Sequence, residues 1–97
     1  MPNVILGVVP DASPVPSGTP VKLTVHYQST TAGSVEFRAS APFQISTTSA
    51  PLPPSPNSIG AQPVQMTITR TDPNGPQHCD IVATFFGSRA HCLIEVT

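Results

Sequence analysis

Tryptophan is absent from this 97-residue chain, tyrosine occurs once, and charged side chains make up only 9% of it. The first two scarcities remove the aromatic platforms on which carbohydrate modules usually stack a sugar. The third, with a net charge of −1, leaves no basic surface to hold nucleic acid or an anionic membrane. No apolar run approaches the roughly 18 residues needed to cross a bilayer as a helix, and no long stretch carries a helical period. Met1-Pro2-Asn3 has no basic head and no long apolar stretch behind it, so no secretory leader is expected here. Either the protein is intracellular, or a domain has been excised from a longer secreted protein. The chain stops at Glu95-Val96-Thr97, where a last strand naturally ends. The expectation is therefore one domain over residues 1–97, taken from a larger protein.

Catalytic signatures are missing as well. The acidic residues Asp11, Glu36, Asp72, Asp80 and Glu95 are scattered, and there is no Gly-x-Ser-x-Gly elbow, phosphate loop or paired carboxylate. Asp80, His91 and Ser88 are the one set that could be arranged as a triad. A tight closing turn puts Asp80 opposite Glu95 instead, and nothing buries the site. No enzyme and no cofactor are expected.

What the chain does contain is alternation. Thirteen prolines and abundant Ser and Thr punctuate short segments whose apolar residues recur at every second position, the period of a strand with one buried face. The clearest segment is the last: Ile81, Ala83 and Phe85 alternate, then Ala90, Cys92, Ile94 and Val96, with Gly87-Ser88 as a two-residue hairpin turn. Upstream, Val21 to Tyr27, Val35 to Ala39, Phe43 to Ile45 and Val64 to Ile68 read the same way. The opening run Val4 to Val9 ends at Pro10, and Pro14 and Pro16 follow; this predicts an edge strand that breaks and switches edge. Ala50 to Pro63, with five prolines, is expected to be an extended connection between sheets. Asp72-Pro73-Asn74-Gly75-Pro76 is a turn, with Asn-Gly suited to positive φ. The sum is about seven short strands in an all-β antiparallel sandwich.

With the strands placed, Val21 to Val25, Gly33 to Phe37, Val64 to Ile68, Ile81 to Gly87 and Leu93 to Val96 together resemble the immunoglobulin-like (Big-type) repeats of bacterial surface and secreted proteins. Antibody-type domains match less well: there is no Trp, no Cys in the second strand, and Gln77 where a Tyr would precede Cys79. The resemblance implies an immunoglobulin-like sandwich and a spacer, stalk or adhesion module, extracellular or at the cell surface, with the periplasm as the other compartment. Its partners would be neighbouring domains, or a protein or glycan ligand; it carries over no catalytic residue.

Two features remain chemically interesting. Cys79 and Cys92 are disulfide candidates, as two cysteines in an extracellular domain usually pair. A turn at Gly87-Ser88 leaves them four residues out of register, roughly 13 Å at about 3.3 Å per residue, whereas a bridge needs Cα atoms within about 7 Å. A wider loop through Thr84 to Gly87 would bring them opposite each other. Both registers keep the same faces inward, so a bridge and two buried thiols stay open as alternatives. His78-Cys79 and His91-Cys92 suggest a metal, but adjacent strand residues point to opposite faces and no chelating spacing is present, so none is expected. Phe85 and Phe86 adjoin, so one faces out at the hairpin tip. Phe86, with Arg89 beside it, is the candidate ligand contact, against cover by a neighbouring loop or domain. Pro51 to Pro56 has polyproline-ligand spacing without a flanking Arg, and reads more simply as a stiff loop shielding a sheet edge.

Overall fold

Valine, isoleucine, threonine and the aromatics favour extended backbone because their side chains pack on a pleated, half-buried surface. In a computed structural model that describes residues 3–97, they form eight strands: β1 (Val4–Pro10), β2 (Pro20–Ser29), β3 (Gly33–Ala39), β4 (Phe43–Ile45), β5 (Ser49–Leu52), β6 (Ser55–Arg70), β7 (His78–Phe85) and β8 (Ser88–Glu95). Met1 and Pro2, on which the expectation about a secretory leader rests, lie outside the described residues. The strands build two antiparallel four-stranded sheets, in the orders β1-β2-β6-β4 and β5-β3-β7-β8. The chain is thus an all-β sandwich, with eight strands among the described residues rather than about seven.

The alternation predicts the inner faces correctly. Val21, Leu23, Val25 and Tyr27 on β2 and Val64, Met66 and Ile68 on β6 meet Val35 and Phe37 on β3 and Cys79, Ile81, Ala83 and Phe85 on β7 in one core. Each Val, Leu, Ile, Met or Phe side chain among them, fully removed from water, stabilises the fold by about 1.5–3 kcal/mol.

The opening strand breaks and changes sheets, as its prolines predict. β1 pairs with β2 from Val4 opposite Gln28 to Pro10 opposite Leu23, with a bulge between Ile5 and Gly7. The chain then crosses to the other sheet, where Val15 bridges Val96 in parallel. Three hydrogen bonds hold it there: Val15 N–H to Glu95 O (2.8 Å), Thr97 N–H to Val15 O (2.9 Å) and Ser17 N–H to Thr97 O (3.0 Å).

The proline-rich stretch corrects the expectation of a connection over Ala50 to Pro63. Ser49–Leu52 is β5, paired with Gly33 to Glu36 of β3, and it sends Ala50 and Leu52 into the core. Residues 55–63 are the first half of β6, whose unbroken register with β2 runs from Thr67 opposite Pro20 to Gly60 opposite Tyr27. A proline is tolerated there because of the direction it faces. Thr67 turns its backbone groups toward β4: Ser46 N–H donates to Thr67 O (3.0 Å), and Thr67 N–H to Ser46 Oγ (2.8 Å). Pro63 lies four residues back and shares that direction, where β4 no longer reaches. Its missing N–H therefore removes no bond to β2.

The Asp72 turn forms, but without positive φ at Asn74 or Gly75. Gly75 N–H donates to Asp72 O (3.0 Å), Asn74 N–H to Asp72 Oδ1 (3.0 Å), and the Arg70 guanidinium donates to Pro73 O (3.0 Å) and Gly75 O (2.5 Å). Proline at the second turn position and an aspartate accepting from the residue two on suffice for the bend.

Candidate functional site

The closing hairpin turns one residue earlier than the Gly-Ser pair suggests. Phe85 is opposite Ser88, so the two turn residues are Phe86 and Gly87, with φ of 48° and 80°. Two positive φ values match the right-handed twist of the flanking strands. For glycine this backbone is free; for phenylalanine the left-handed region costs about 1–2 kcal/mol. Tertiary contacts hold it there. Ile5 N–H donates to Ser88 Oγ (3.2 Å), which fixes Ser88 as the first residue of β8. The Phe86 ring packs edge-on against Phe85, with centroids 4.7 Å apart, and lies over the backbone of Gly33. Phe85 meets Tyr27 edge-on in turn, at 5.8 Å. Phe86 is thus half covered by its own domain and still 57% exposed.

This turn changes the register expected for the hairpin. Cys79 lies opposite Ile94 and Cys92 opposite Ile81, so the cysteines are diagonal neighbours rather than four residues apart. Diagonal partners on one face sit roughly 7–8 Å apart, beyond disulfide reach. Both are free, buried thiols, which corrects the disulfide candidacy of Cys79 and Cys92. Burial pushes both thiols up, Cys92 to about 11; neither is a nucleophile near neutral pH.

Asp80, expected opposite Glu95, is opposite Leu93, and its carboxylate oxygen lies 3.4 Å from His91 Nδ1. The pair is open to water, and Ser88, the third member of the imagined triad, is engaged by Ile5 at the hairpin tip. His78 and His91 face out while Cys79 and Cys92 face in, as adjacent strand residues must. No group of three or more His, Cys, Asp or Glu side chains stands ready for a metal ion among the described residues. In the polyproline-like segment, Leu52 is buried and Pro53 O accepts the Tyr27 hydroxyl (2.5 Å). Pro51 and Leu52 end the edge strand β5, with Leu52 anchored in the core, Pro53-Pro54 link it to β6, and Ser55-Pro56 open β6.

Arg89 is brought into company that sequence spacing does not reveal. Glu36 lies opposite Thr84 and Thr84 opposite Arg89; one step along, Arg38 lies opposite Val82 and Val82 opposite His91. Glu36, Arg38, Val82, Thr84 and Arg89 line an open hollow of about 400 Å³ on the outward face of the β5-β3-β7-β8 sheet. Alternation identifies Glu36 and Arg38 as outward residues, but only the pairing of β3 with β7 joins them to Arg89.

Together these observations define a β-sandwich with an aromatic hairpin tip and a polar hollow on one sheet. Comparison with family models, curated proteins and solved structures finds no match for the chain.

Proposed function

We propose that the chain is a non-catalytic immunoglobulin-like module of an extracellular or surface-displayed protein, acting as a spacer or stalk unit between neighbouring domains. The strand order supports the immunoglobulin-like part. On this reading, sheets β1-β2-β6-β4 and β5-β3-β7-β8 take the places of the ABED and C′CFG layers of such sandwiches. One departure stands out: the strand in the C′ place, β5, follows the strand in the D place, β4. The compartment rests on the resemblance, since two reduced, buried thiols fit any redox environment.

The observation that carries the spacer reading is where the two ends of the described chain emerge. The body measures 45 × 21 × 16 Å. Ile5 sits at the tip of the β7-β8 hairpin beside Ser88, whereas Val96 N–H donates to Gln77 O (2.6 Å) at the base of β7. Tension between neighbours therefore runs along the strands. It loads the β1-β2 ladder and the Val15–Val96 bridge in shear, so the bonds share the force rather than parting singly. Single-molecule extension of a tandem array tests this: each unit is expected to give a discrete unfolding peak releasing about 300 Å of contour length. Extension without peaks refutes a load-bearing role.

A second reading, an adhesive or ligand-binding module using the Phe86 end, is favoured by one observation. A bulky ring is held half exposed on left-handed backbone, an arrangement that recurs where a side chain must be presented. Replacing Phe86 by Ala separates the two: partner binding lost at unchanged stability supports adhesion.

A further inference from the structure

The hollow over β7 offers more specific chemistry than the hairpin tip. Among the described residues the only ion pair is His91 with Asp80, so neither Arg38 nor Arg89 has a carboxylate within 4.0 Å. Both are exposed and both line the same hollow. Arg38 stands one strand to one side of β7 and Arg89 one strand to the other, two residues out of line. That separates their Cα atoms by roughly 12 Å, and two long side chains can converge on one small group between them. Val82 and Thr84 form the floor, one apolar and one with a hydroxyl, and Glu36 stands on the rim.

We propose that this hollow recognises a carboxylate-bearing sugar, a uronate-type residue of an acidic glycan. The lining holds two guanidinium groups and one carboxylate, which suits one carboxylate seated in the hollow with neutral groups around it. A guanidinium takes a carboxylate through two parallel hydrogen bonds. Glu36 is an acceptor with no donor of its own, and a sugar ring supplies hydroxyl donors to it. The Thr84 hydroxyl can pair with another, and the Val82 side chain offers an apolar surface to ring C–H groups. An acidic peptide provides carboxylates but few such donors, so it leaves Glu36 without a partner. A polyphosphate, with few hydroxyls at neutral pH, likewise offers Glu36 no donor.

The test is amide NMR titration of the full chain with oligogalacturonate, alongside the neutral oligogalactan and oligoglutamate. Oligogalacturonate is expected to shift the Val82, Thr84 and Arg89 amides and leave the Gly33 and Phe86 amides unmoved. The exposed variants R38Q and R89Q, checked for an unchanged melting temperature, should each weaken binding about ten-fold or more. No shifts with millimolar oligogalacturonate overturns the proposal, as does equal binding by the double variant. Oligoglutamate binding as tightly as the uronate also overturns it, and reassigns the face to an acidic peptide.

Discussion

The Phe86 ring lies so close over Gly33 that a Cβ on Gly33 would stand 2.6 Å from Phe86 Cε2 and 2.9 Å from Phe85 Cε1. The start of β3 and the tip of the β7-β8 hairpin thereby meet at a glycine, where any added side chain would have to displace one of the two rings. Gly33→Ala is expected to destabilise the fold by about 1–3 kcal/mol, the usual penalty of forced overpacking. In a Phe86→Ala background the penalty shrinks, because one of the two obstructing rings is gone. A double-mutant cycle by urea denaturation checks this; additive losses would show that the two residues are not coupled.

The backbone at Phe86 yields a second expectation. Alanine and asparagine both delete the ring, but asparagine tolerates left-handed backbone far better. Phe86→Asn should therefore be more stable than Phe86→Ala by about 1 kcal/mol. Equal stabilities would mean that the turn relaxes once the ring is removed.

Alkaline stability follows from the buried thiols. Cys92 is raised by burial from its ordinary 9.0 to about 11, so the folded state holds a proton that the unfolded chain releases earlier. Its contribution is fully present below pH 9 and fades as pH rises toward 11. Cys79 is raised by the same cause and acts in the same direction. Chemical denaturation at pH 8 and pH 10.5 should show lower stability at the higher pH, and Cys92→Ala should lessen the difference. Native thiols should react slowly with an alkylating agent and both should react after unfolding; a chain inert under denaturing, non-reducing conditions contradicts the free-thiol assignment.

Pro63 protects an edge. Changing it to Thr restores a backbone N–H on the side of β6 that β4 does not cover, creating a longer template for strand pairing. Pro63→Thr should fold, yet show concentration-dependent association by light scattering where the parent chain shows less.

Much of this architecture is legible without coordinates, and the reason is local. That Ile81, Ala83 and Phe85 face inward while His78 and Asp80 face out follows from the two-residue period of extended backbone. The break at Pro10 and the bend at Asp72 follow from what proline and aspartate do to their own neighbourhoods. The proline-rich stretch misleads, because a proline's effect depends on whether another strand lies beside it. At Pro63 none does.

Register and juxtaposition belonged to the tertiary structure alone. Two turns, Phe86-Gly87 and Gly87-Ser88, leave the same side chains buried, and local preference favours the one without a left-handed phenylalanine. Contacts with Ile5 and Gly33, 83 and 53 residues distant in the chain, tip the balance, and with it the distance between Cys79 and Cys92. Likewise, Arg38 and Arg89 became one hollow only when β7 settled between their strands. Local rules act over a few residues, whereas partners across a sheet are chosen by the whole packed core.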